Sequence, residues 1–305
     1  MSRVVYAVLA VVVSAAVATP ASAAPKRNAK SPAETSAYWT SERMKNAKPR
    51  ERAKPGGGGG GAGADWSSGA VALSGSAYAG ENLKNGKVFM TIDGGNYVCS
   101  GTAVAASATI NLVWTAGHCV TDGPGHEATN FMFVPGYYKG AEPAGRWTFT
   151  QLDSTPGWEG QGANRFSYDV GAARVVKVGA TGTTFTDTIG TRPISFGLNP
   201  ANARLVAIGY PAAGKFNGSQ QFACASPFRA WDGTAMLDPM RISCDMTGGS
   251  SGGGWFLDTN NNSIADPGEP LVSNTSYGYQ SLKNALFGPF LASGGQAQAL
   301  YDMLD

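Results

Sequence analysis

Two short motifs contain the residue types that nucleophilic catalysis requires. Thr115-Ala116-Gly117-His118-Cys119 places one of the chain's 2 histidines beside a cysteine. Gly248-Gly249-Ser250-Ser251-Gly252-Gly253 places serine in a run of glycines, where the backbone can come close to a substrate. A nucleophilic serine needs a base to accept its proton and N–H donors to hold the oxyanion that forms. Together the motifs predict acyl-transfer chemistry with His118 as the general base.

The glycine-rich motif offers two serines. We predict Ser251 as the nucleophile because the frame G-x-S-G-G falls on it, and Ser250 is the alternative. The backbone N–H groups of Gly249 and Ser251 are then the predicted oxyanion hole.

The base also needs a carboxylate that fixes the tautomer of its imidazole. Asp169 opens a β-type run in Tyr168-Asp169-Val170-Gly171-Ala172 and lies between the other two residues in sequence. Asp153 and Asp187 are the alternatives, each in a polar stretch more typical of a solvated loop. We predict Asp169 as the orienting carboxylate.

Taken in order, T-A-G-H-C, Y-D-V-G-A and G-x-S-G-G resemble the trypsin/chymotrypsin superfamily of serine endopeptidases, and most of all its secreted bacterial branch, which includes glutamyl-endopeptidase-like enzymes. The resemblance covers roughly residues 85–305. It implies two six-stranded antiparallel β-barrels with His118, Asp169 and Ser251 in the cleft between them. The mechanism of such enzymes requires no metal or organic cofactor.

The resemblance also implies a substrate-binding region. Ser276-Tyr277-Gly278 is similar to the strand that pairs with the substrate backbone beside the specificity pocket. Asp245 stands six residues before Ser251, where trypsin-like members carry their pocket carboxylate. Thr275 stands where glutamyl-specific relatives carry a histidine. We therefore expect a basic or broad preference for the residue before the cleaved bond.

One departure from the family concerns activation. Trypsin-like enzymes carry an acidic residue just before the nucleophile, which receives the newly freed N-terminus, but here that residue is Ser250. No Ile-Val-Gly-Gly start is visible either. If the enzyme is made latent, we expect the segment before Asp65 to be the means.

Short β-type runs separated by Gly, Pro, Asn and Ser must position these residues. Runs such as 87–92, 97–104 and 170–178 show almost no helical periodicity, which indicates an all-β barrel or sandwich. The run 296–304 is the exception and predicts one short C-terminal helix. We expect a protease domain over 65–305, with an N-terminal barrel at about 65–180 and a C-terminal barrel at about 181–305.

The 4 cysteines predict disulfides, because the chain begins with an export signal. Four cysteines can pair in three ways. We favour the sequential pairing, Cys99–Cys119 and Cys224–Cys244, which closes one loop of similar size in each half of the body. Each loop contributes roughly 3 kcal/mol on the chain-entropy model. Neither pair has the spacing of a structural zinc site.

A polar stretch after the nucleophile is a candidate metal site. Its oxygen-bearing residues fall at positions 1, 3, 5, 9 and 12 of a calcium-loop pattern: Asp258, Asn260, Asn262, Asp266 and Glu269. Ser263 stands where such loops need glycine, and no flanking helices are evident. The alternatives are a structural calcium site and a polar hairpin tip.

The first residues predict export. A basic start is followed by an almost wholly apolar run over 4–17 and by the small residues of a cleavage site at 19–23. Residues 1–23 therefore predict a signal peptide, a secreted and extracellular protein, and no membrane association after cleavage. Residues 24–64 end in a glycine run and predict either a disordered leader or a removable propeptide with a linker.

Charge is unevenly distributed. Residues 26–54 carry 9 Lys and Arg against 3 Asp and Glu, whereas residues 55–305 carry 13 against 18, a net charge of −5. The body therefore lacks the basic stripe of a nucleic-acid binder. We expect protein or peptide substrates, no nucleic-acid partner and a monomer.

The leading hypothesis is a secreted serine endopeptidase that acts through an acyl-enzyme. The alternative is a catalytically silent protein with a protease fold that only binds other proteins. An esterase of the α/β-hydrolase type is excluded, since those enzymes carry their residues in the order Ser, acid, His and need helices between strands.

Overall fold

The computed structural model describes residues 24–50, 53–54, 69–73, 80–180, 182–233 and 237–305. The predicted signal peptide, residues 51–52 and the glycine run lie outside the described residues. The strands are β1 (Lys26–Arg27), β2 (Lys48–Pro49), β3 (Ala53–Lys54), β4 (Val71–Ala72), β5 (Asn85–Ile92), β6 (Gly95–Val104), β7 (Leu112–Thr115), β8 (Thr129–Pro135), β9 (Trp147–Ser154), β10 (Gly171–Lys177), β11 (Arg204–Gly209), β12 (Phe222–Pro227), β13 (Ala230–Trp231), β14 (Met240–Ser243), β15 (Gly254–Leu257), β16 (Leu271–Asn274), β17 (Tyr277–Tyr279) and β18 (Leu282–Gly288).

Helices are short and few in the described part of the chain. The α-helices are α1 (Pro32–Tyr38), α2 (Ser41–Asn46), α3 (Pro156–Glu159), α4 (Phe185–Thr188) and α5 (Gln296–Leu304). Single 3₁₀ turns cover Gly80–Lys84, Gly117–Cys119 and Arg165–Tyr168. None of these helices is long and apolar enough to cross a membrane.

The first half is a closed six-stranded antiparallel barrel. Its strands follow the order β9, β10, β7, β6, β5 and β8, and the pairing of β8 with β9 closes the ring. Every residue of β5 is buried, because the strand is covered on both faces. Aromatic and branched side chains fill the interior, among them Phe131, Phe133, Trp147, Phe149 and Phe185.

The second half consists of two five-stranded sheets. One follows the order β16, β15, β11, β12, β4, and the other β13, β14, β18, β17, β3. Their facing side chains form a separate core that includes Met240, Ile242, Trp255 and Leu286. Helix α5 buries Leu300 and Leu304 against a third cluster at the junction with the first barrel. The all-β, chymotrypsin-like prediction with a short C-terminal helix is confirmed.

Each half contains one disulfide. Cys99 and Cys119 are joined with their Cα atoms 6.3 Å apart, and Cys224 and Cys244 with theirs 5.6 Å apart. The pairing is therefore the sequential one. The first bond ties β6 to the 3₁₀ turn that carries His118.

Residues 24–50 are packed on the first barrel. Strand β1 pairs with β9, and β2 pairs in parallel with β6. Helix α1 begins with a capping box between Ser31 and Glu34, which satisfies N–H groups at its first turn. Trp39 is only 1% exposed and donates its indole N–H to the Asn130 carbonyl oxygen at 2.6 Å. This segment is thus an ordered part of the fold.

Candidate active site

His118 lies one turn beyond the end of β7, in the Gly117–Cys119 3₁₀ turn. Its ring Nδ1 is 2.8 Å from Asp169 Oδ2, and its backbone N–H donates to Asp169 Oδ1 at 2.8 Å. Both side chains are fully buried. The two contacts fix the imidazole orientation and place the Nδ1 proton toward the carboxylate.

The Asp169 carboxylate is held from both halves of the molecule. Ser276 donates its hydroxyl hydrogen bond to Oδ2, and Asn274 donates its amide to the Asp169 carbonyl oxygen at 3.1 Å. Burial acts to raise the pKa of Asp169, but the facing His118 and the hydrogen bonds from His118 and Ser276 outweigh it and lower that pKa. Asp169 is therefore a buried carboxylate kept in its ionised form.

Two glycines allow the backbone turn that presents Ser251. Gly249 has φ +96°, and a Cβ atom there would lie 2.7 Å from the Tyr210 carbonyl oxygen. Gly252 has φ +80°, and its Cβ would lie 2.4 Å from the Ser100 carbonyl oxygen. Any side chain at either position would collide with backbone, which explains the G-x-S-G-G frame.

The neighbouring serine is engaged elsewhere. Ser250 donates its hydroxyl hydrogen bond to the Thr247 carbonyl oxygen at 2.7 Å. Ser251 instead has its side chain in the cleft, where it meets residue 50. The geometry therefore favours Ser251 over Ser250 as the reactive hydroxyl.

The backbone around Ser251 also leaves two donors available. The N–H groups of Gly249 and Ser251 donate to no acceptor within the described residues. The Gly249 carbonyl oxygen accepts a hydrogen bond from Ser100 Oγ at 2.9 Å, which holds the following peptide unit in place. Two fixed, unused N–H donors beside a serine are suited to a developing oxyanion.

The nucleophile candidate is hydrogen-bonded to the N-terminal segment and not to the base candidate. Ser251 Oγ donates a hydrogen bond of 3.1 Å to the Arg50 carbonyl oxygen. His118 Nε2 is buried and has no hydrogen-bond partner in the part of the chain that the structure describes. In this state the serine proton is directed to Arg50 rather than to the imidazole.

The Arg50 side chain anchors that contact. Its Nε donates to the His118 carbonyl oxygen at 3.3 Å, and its guanidinium forms an ion pair with Asp122. The same group lies 4.6 Å from the centroid of the Tyr97 ring. In the sequence, Arg50 is one of several basic residues at which the leader could be processed, and nothing local indicates that it contacts the active site.

Trp158 is a second residue that the sequence analysis did not select. Its ring lies 6.0 Å from the His118 ring, and its indole N–H donates to the Thr121 carbonyl oxygen at 2.9 Å. A Cβ atom on Gly117 would lie 2.7 Å from the Trp158 ring. The glycine before His118 therefore lets this indole cover the histidine.

The two alternative carboxylates lie elsewhere. Asp153 is on β9, where burial raises its pKa to about 7 and its Oδ1 accepts from the Ser154 backbone N–H. Asp187 belongs to the capping box of α4, where its carboxylate accepts from the backbone N–H of the N-cap residue Thr184 at 3.4 Å. Neither has a contact with His118 among the hydrogen bonds and ion pairs of the described residues.

A cavity of about 390 Å³ opens beside Ser251. The predicted substrate-binding residues Thr275, Ser276, Tyr277 and Gly278 all line it. Thr275 Oγ1 accepts a hydrogen bond from the Trp255 indole at 2.9 Å. Strand β17 and its two preceding residues thus form one wall of this cavity.

Asp245, the predicted pocket carboxylate, has partners outside the cavity. Its Oδ1 accepts from the Ala70 backbone N–H at 2.7 Å, and its Oδ2 is 2.5 Å from Lys215 Nζ. Burial acts to raise the pKa of Asp245, but Lys215 and the Ala70 N–H outweigh it, and the pKa is lowered. Asp245 is not among the residues that line the cavity, and its carboxylate is engaged by Ala70 and Lys215.

The calcium-loop candidate is a hairpin tip whose carboxylates already have partners. Asp258 pairs with Arg204 at 3.0 Å, and Asp266 accepts from the Asn260 and Asn262 side chains at 2.7 and 2.6 Å. Glu269 accepts from the Thr259 backbone at 2.6 Å. The three carboxylates do not converge on a common point. A calcium ion there remains a prediction.

One group with metal-ligating atoms does converge in the described residues. Cys99, His118 and Cys119 offer atoms within 4.8 Å of one another. Both sulfurs belong to the disulfide, so neither is a thiolate that could bind a metal ion. The cluster is the cross-link beside the histidine.

Comparisons with known proteins identify serine proteases of similar fold. No family model and no curated protein matches the chain, but solved structures do. The chain is 35% identical to protease Anisep from Arthrobacter nicotinovorans, over 73% of this chain and 95% of that one, with a TM-score of 0.64. It is 36% identical to the thermostable serine protease AL20 from an extremophilic microorganism, over 73% and 96%, with a TM-score of 0.63. A Glu endopeptidase shares the fold at 18% identity, over 77% and 94%, with a TM-score of 0.57.

Proposed function

The chain belongs to the trypsin/chymotrypsin-like superfamily of serine endopeptidases, and we propose that it cleaves peptide bonds with Ser251 as nucleophile, His118 as base and Asp169 as orienting carboxylate. The observation that carries the proposal is the buried pair of His118 and Asp169, joined through both Nδ1 and the backbone N–H. This pair leaves Nε2 as the one imidazole atom available to a serine.

In the proposed reaction, Ser251 Oγ attacks the peptide carbonyl while His118 Nε2 takes its proton. The C–N bond then breaks, and His118 returns the proton to the leaving amine. A water molecule, deprotonated by His118, then attacks the acyl carbon; the ester C–O bond to Ser251 breaks, His118 returns the proton to Ser251 Oγ, and the acid is released. Asp169 stays ionised throughout and stabilises the imidazolium, for which its lowered pKa is suited.

The two unused N–H groups of Gly249 and Ser251 are the proposed oxyanion hole. Loss of one such donor typically costs about 10²–10³ in turnover. Thr275, Ser276, Tyr277 and Gly278 are the proposed substrate-binding wall, because they line the cavity beside Ser251.

We also propose that the chain is a secreted precursor. The signal-peptide pattern at 1–23 and two disulfides support export. The contact between Ser251 Oγ and the Arg50 carbonyl oxygen supports latency, since it occupies the hydroxyl that His118 must deprotonate. Removal of the segment would allow the serine to turn to His118 Nε2.

Substitutions in the full chain, activated by limited proteolysis, test the proposed roles. Ser251→Ala and His118→Ala should each lower kcat by at least about 10⁴-fold, and Asp169→Asn should approach the same loss through the wrong tautomer. The matched controls are Ser250→Ala and Asp153→Asn, which should keep kcat within about tenfold. Full activity in Ser251→Ala with loss in Ser250→Ala would reverse the assignment.

A further inference from the structure

We propose that the cavity beside Ser251 selects a large uncharged side chain, aromatic or long aliphatic, on the residue whose carbonyl is attacked. The inference rests on the proposed function, because the cavity adjoins the attacked carbonyl only if Ser251 is the nucleophile. It differs from the basic or broad preference that the sequence predicts.

The lining of the cavity carries no formal charge in the described residues. Its apolar surface comes from Met246 on one side and from Leu282, Ala285 and Leu286 of β18 on the other. Met246, Ala285 and Leu286 are themselves almost wholly buried. A surface of this kind gains free energy by covering an apolar side chain.

No charged side chain lines the cavity among the described residues. Asp245 is bonded to Lys215 and Ala70, and the Asp232 carboxylate, outside the lining, is engaged by the Tyr277 and Tyr279 hydroxyls. His118 belongs to the proposed triad, and His126 is an exposed residue paired with Asp93. A buried charge without a partner is strongly disfavoured, so both basic and acidic residues should bind poorly.

Gly278 keeps the cavity open to large side chains. A Cβ atom built there meets only the Ala285 carbonyl oxygen of the neighbouring strand β18, at 3.5 Å, which is ordinary van der Waals contact. The φ of Gly278 is not in the left-handed region, so a larger residue can be introduced without backbone strain. Gly278→Val should therefore narrow the cavity rather than unfold the chain.

Peptide amides that differ only in the residue before the cleaved bond test this inference. The activated full chain is first titrated with a fluorophosphonate, so that kcat/KM refers to active sites. Phe and Leu should exceed Arg, Lys, Glu and Asp by at least about 100-fold, a ratio typical of one well-matched apolar pocket. Gly278→Val should reduce the ratio of Phe to Ala by at least about tenfold, and Asp245→Ser should leave the preference unchanged.

A preference for Arg or Lys that disappears in Asp245→Ser would overturn the inference, and so would a preference for Glu. Either result would leave the proposed function intact, since the enzyme would still be titrated. Failure of titration would instead contradict the proposed function. If the ratio of kcat/KM for Phe to that for Ala is unchanged in a folded Gly278→Val variant, the cavity is not the pocket that selects this residue.

A separate observation carries a second inference. The geometry points to an N-terminal segment whose chain runs through the cleft in the direction opposite to that of a substrate. Such a segment inhibits the enzyme without being cleaved. Lys48 and Pro49 pair in parallel with Tyr97 and Val98 of β6, and the Arg50 N–H donates to the Val98 carbonyl oxygen at 2.9 Å. Beyond Arg50, strand β3 pairs in parallel with β17.

The direction follows from the chemistry of the cleaved bond. The acyl half of a substrate precedes the bond and must lie on the cavity side, along β17. The leaving half follows the bond and must face His118, which protonates its amine. In this chain the order is inverted, because the residues before Arg50 lie on the barrel that carries His118 and the residues after it lie on β17.

Because the segment runs in the inverted direction, the Arg50 carbonyl is poorly placed for attack by Ser251. The contact is between Ser251 Oγ and the carbonyl oxygen, not the carbon. An amine expelled from this position would leave into the cavity, away from the imidazole that must protonate it. The buried Arg50 side chain and the Trp39 anchor hold the segment in this register.

Site-specific cross-linking in the full chain tests the direction. A photoreactive residue in place of Lys48 should attach to the first barrel near Tyr97, and one in place of Ala53 should attach to β17. A substrate-like orientation would give the opposite pair of cross-links and would overturn the inference.

A synthetic peptide of residues 24–54, added to the activated enzyme, tests the function. It should inhibit competitively and remain intact in mass spectra after many turnovers of substrate. Arg50→Ala should weaken its inhibition by at least about tenfold, whereas Arg27→Ala, an exposed residue of the same type, should not. Rapid cleavage of the peptide after residue 50, or absence of inhibition, would contradict the inference.

Discussion

Ser276 donates its hydroxyl hydrogen bond to the same Asp169 oxygen that faces the His118 ring. Ser276 immediately precedes β17, which lines the cavity, whereas Asp169 ends the turn before β10 of the first barrel. One hydrogen bond therefore joins the proposed substrate-binding wall to the carboxylate that is proposed to orient the base. The position of the imidazole depends on how the two halves meet.

This relationship predicts the effect of Ser276→Ala. Removing the hydroxyl withdraws one of the bonds that lower the pKa of Asp169 and loosens the carboxylate. We expect kcat to fall about tenfold with little change in KM, because the proposed pairing with substrate uses the backbone of this strand and not the Ser276 hydroxyl. Steady-state kinetics on titrated enzyme measure both constants. The exposed Ser293→Ala is the control, and a change confined to KM would contradict the positioning role.

The two disulfides should differ in their effects on stability and on kcat, because only one of them lies beside His118. Both disulfides join residues 20 apart in sequence, so losing either should cost roughly 3 kcal/mol of unfolding free energy. Only Cys99–Cys119 holds the turn of the base, and small displacements of a catalytic group are costly. The double serine variant of Cys99 and Cys119 should lose at least about tenfold in kcat per folded molecule. The matched variant of Cys224 and Cys244 should lose stability but not kcat, and equal losses in kcat would contradict the idea.

A buried lysine in the first barrel predicts how stability depends on pH. Burial lowers the pKa of Lys87 to about 8, and its Nζ donates to the Gly218 carbonyl oxygen at 2.7 Å. Between about pH 8 and 10.5 the unfolded chain binds this proton and the folded chain does not, so folding becomes more favourable as pH rises. Urea unfolding should show a rise of about 3 kcal/mol across this window. Lys87→Met should lack it, and an identical pH profile in both proteins would refute the assignment.

The calcium-loop candidate gives a prediction about metal removal. The carboxylates of Asp258, Asp266 and Glu269 accept hydrogen bonds from protein groups and do not converge. We expect Tm to be the same in a chelator and in millimolar calcium. If calcium raises Tm and Asp266→Ala abolishes that rise, the prediction is wrong and the loop binds calcium.

The catalytic candidates could be predicted from sequence because their constraints are local. Glycine at 249 and 252 is required by the turn itself, and the short motif around His118 includes the glycine that Trp158 demands. Asp169 could be selected because it comes two residues before a strand, β10. These signals lie within a few residues of the atoms that matter.

Other features depend on contacts between distant parts of the chain. Counting back from Ser251 places Asp245 in the pocket, but the direction of its carboxylate is decided by Lys215 and Ala70, which no local pattern reveals. The role of Arg50 depends in the same way on Asp122 and Tyr97. Residues 24–50 have the composition of a leader, but the structure shows that they are folded. The Ser31–Glu34 spacing of the capping box and the Trp39 side chain are the sequence features that correspond to this fold.

The most direct test of the central claim is mass spectrometry of the protein after reaction with a fluorophosphonate, with peptide mapping, before and after removal of the N-terminal segment. We predict one adduct, on Ser251, that forms slowly while the segment covers the hydroxyl and at least about 100-fold faster once it is gone. An adduct on another residue, or a folded and trimmed protein that takes no adduct, would contradict the account.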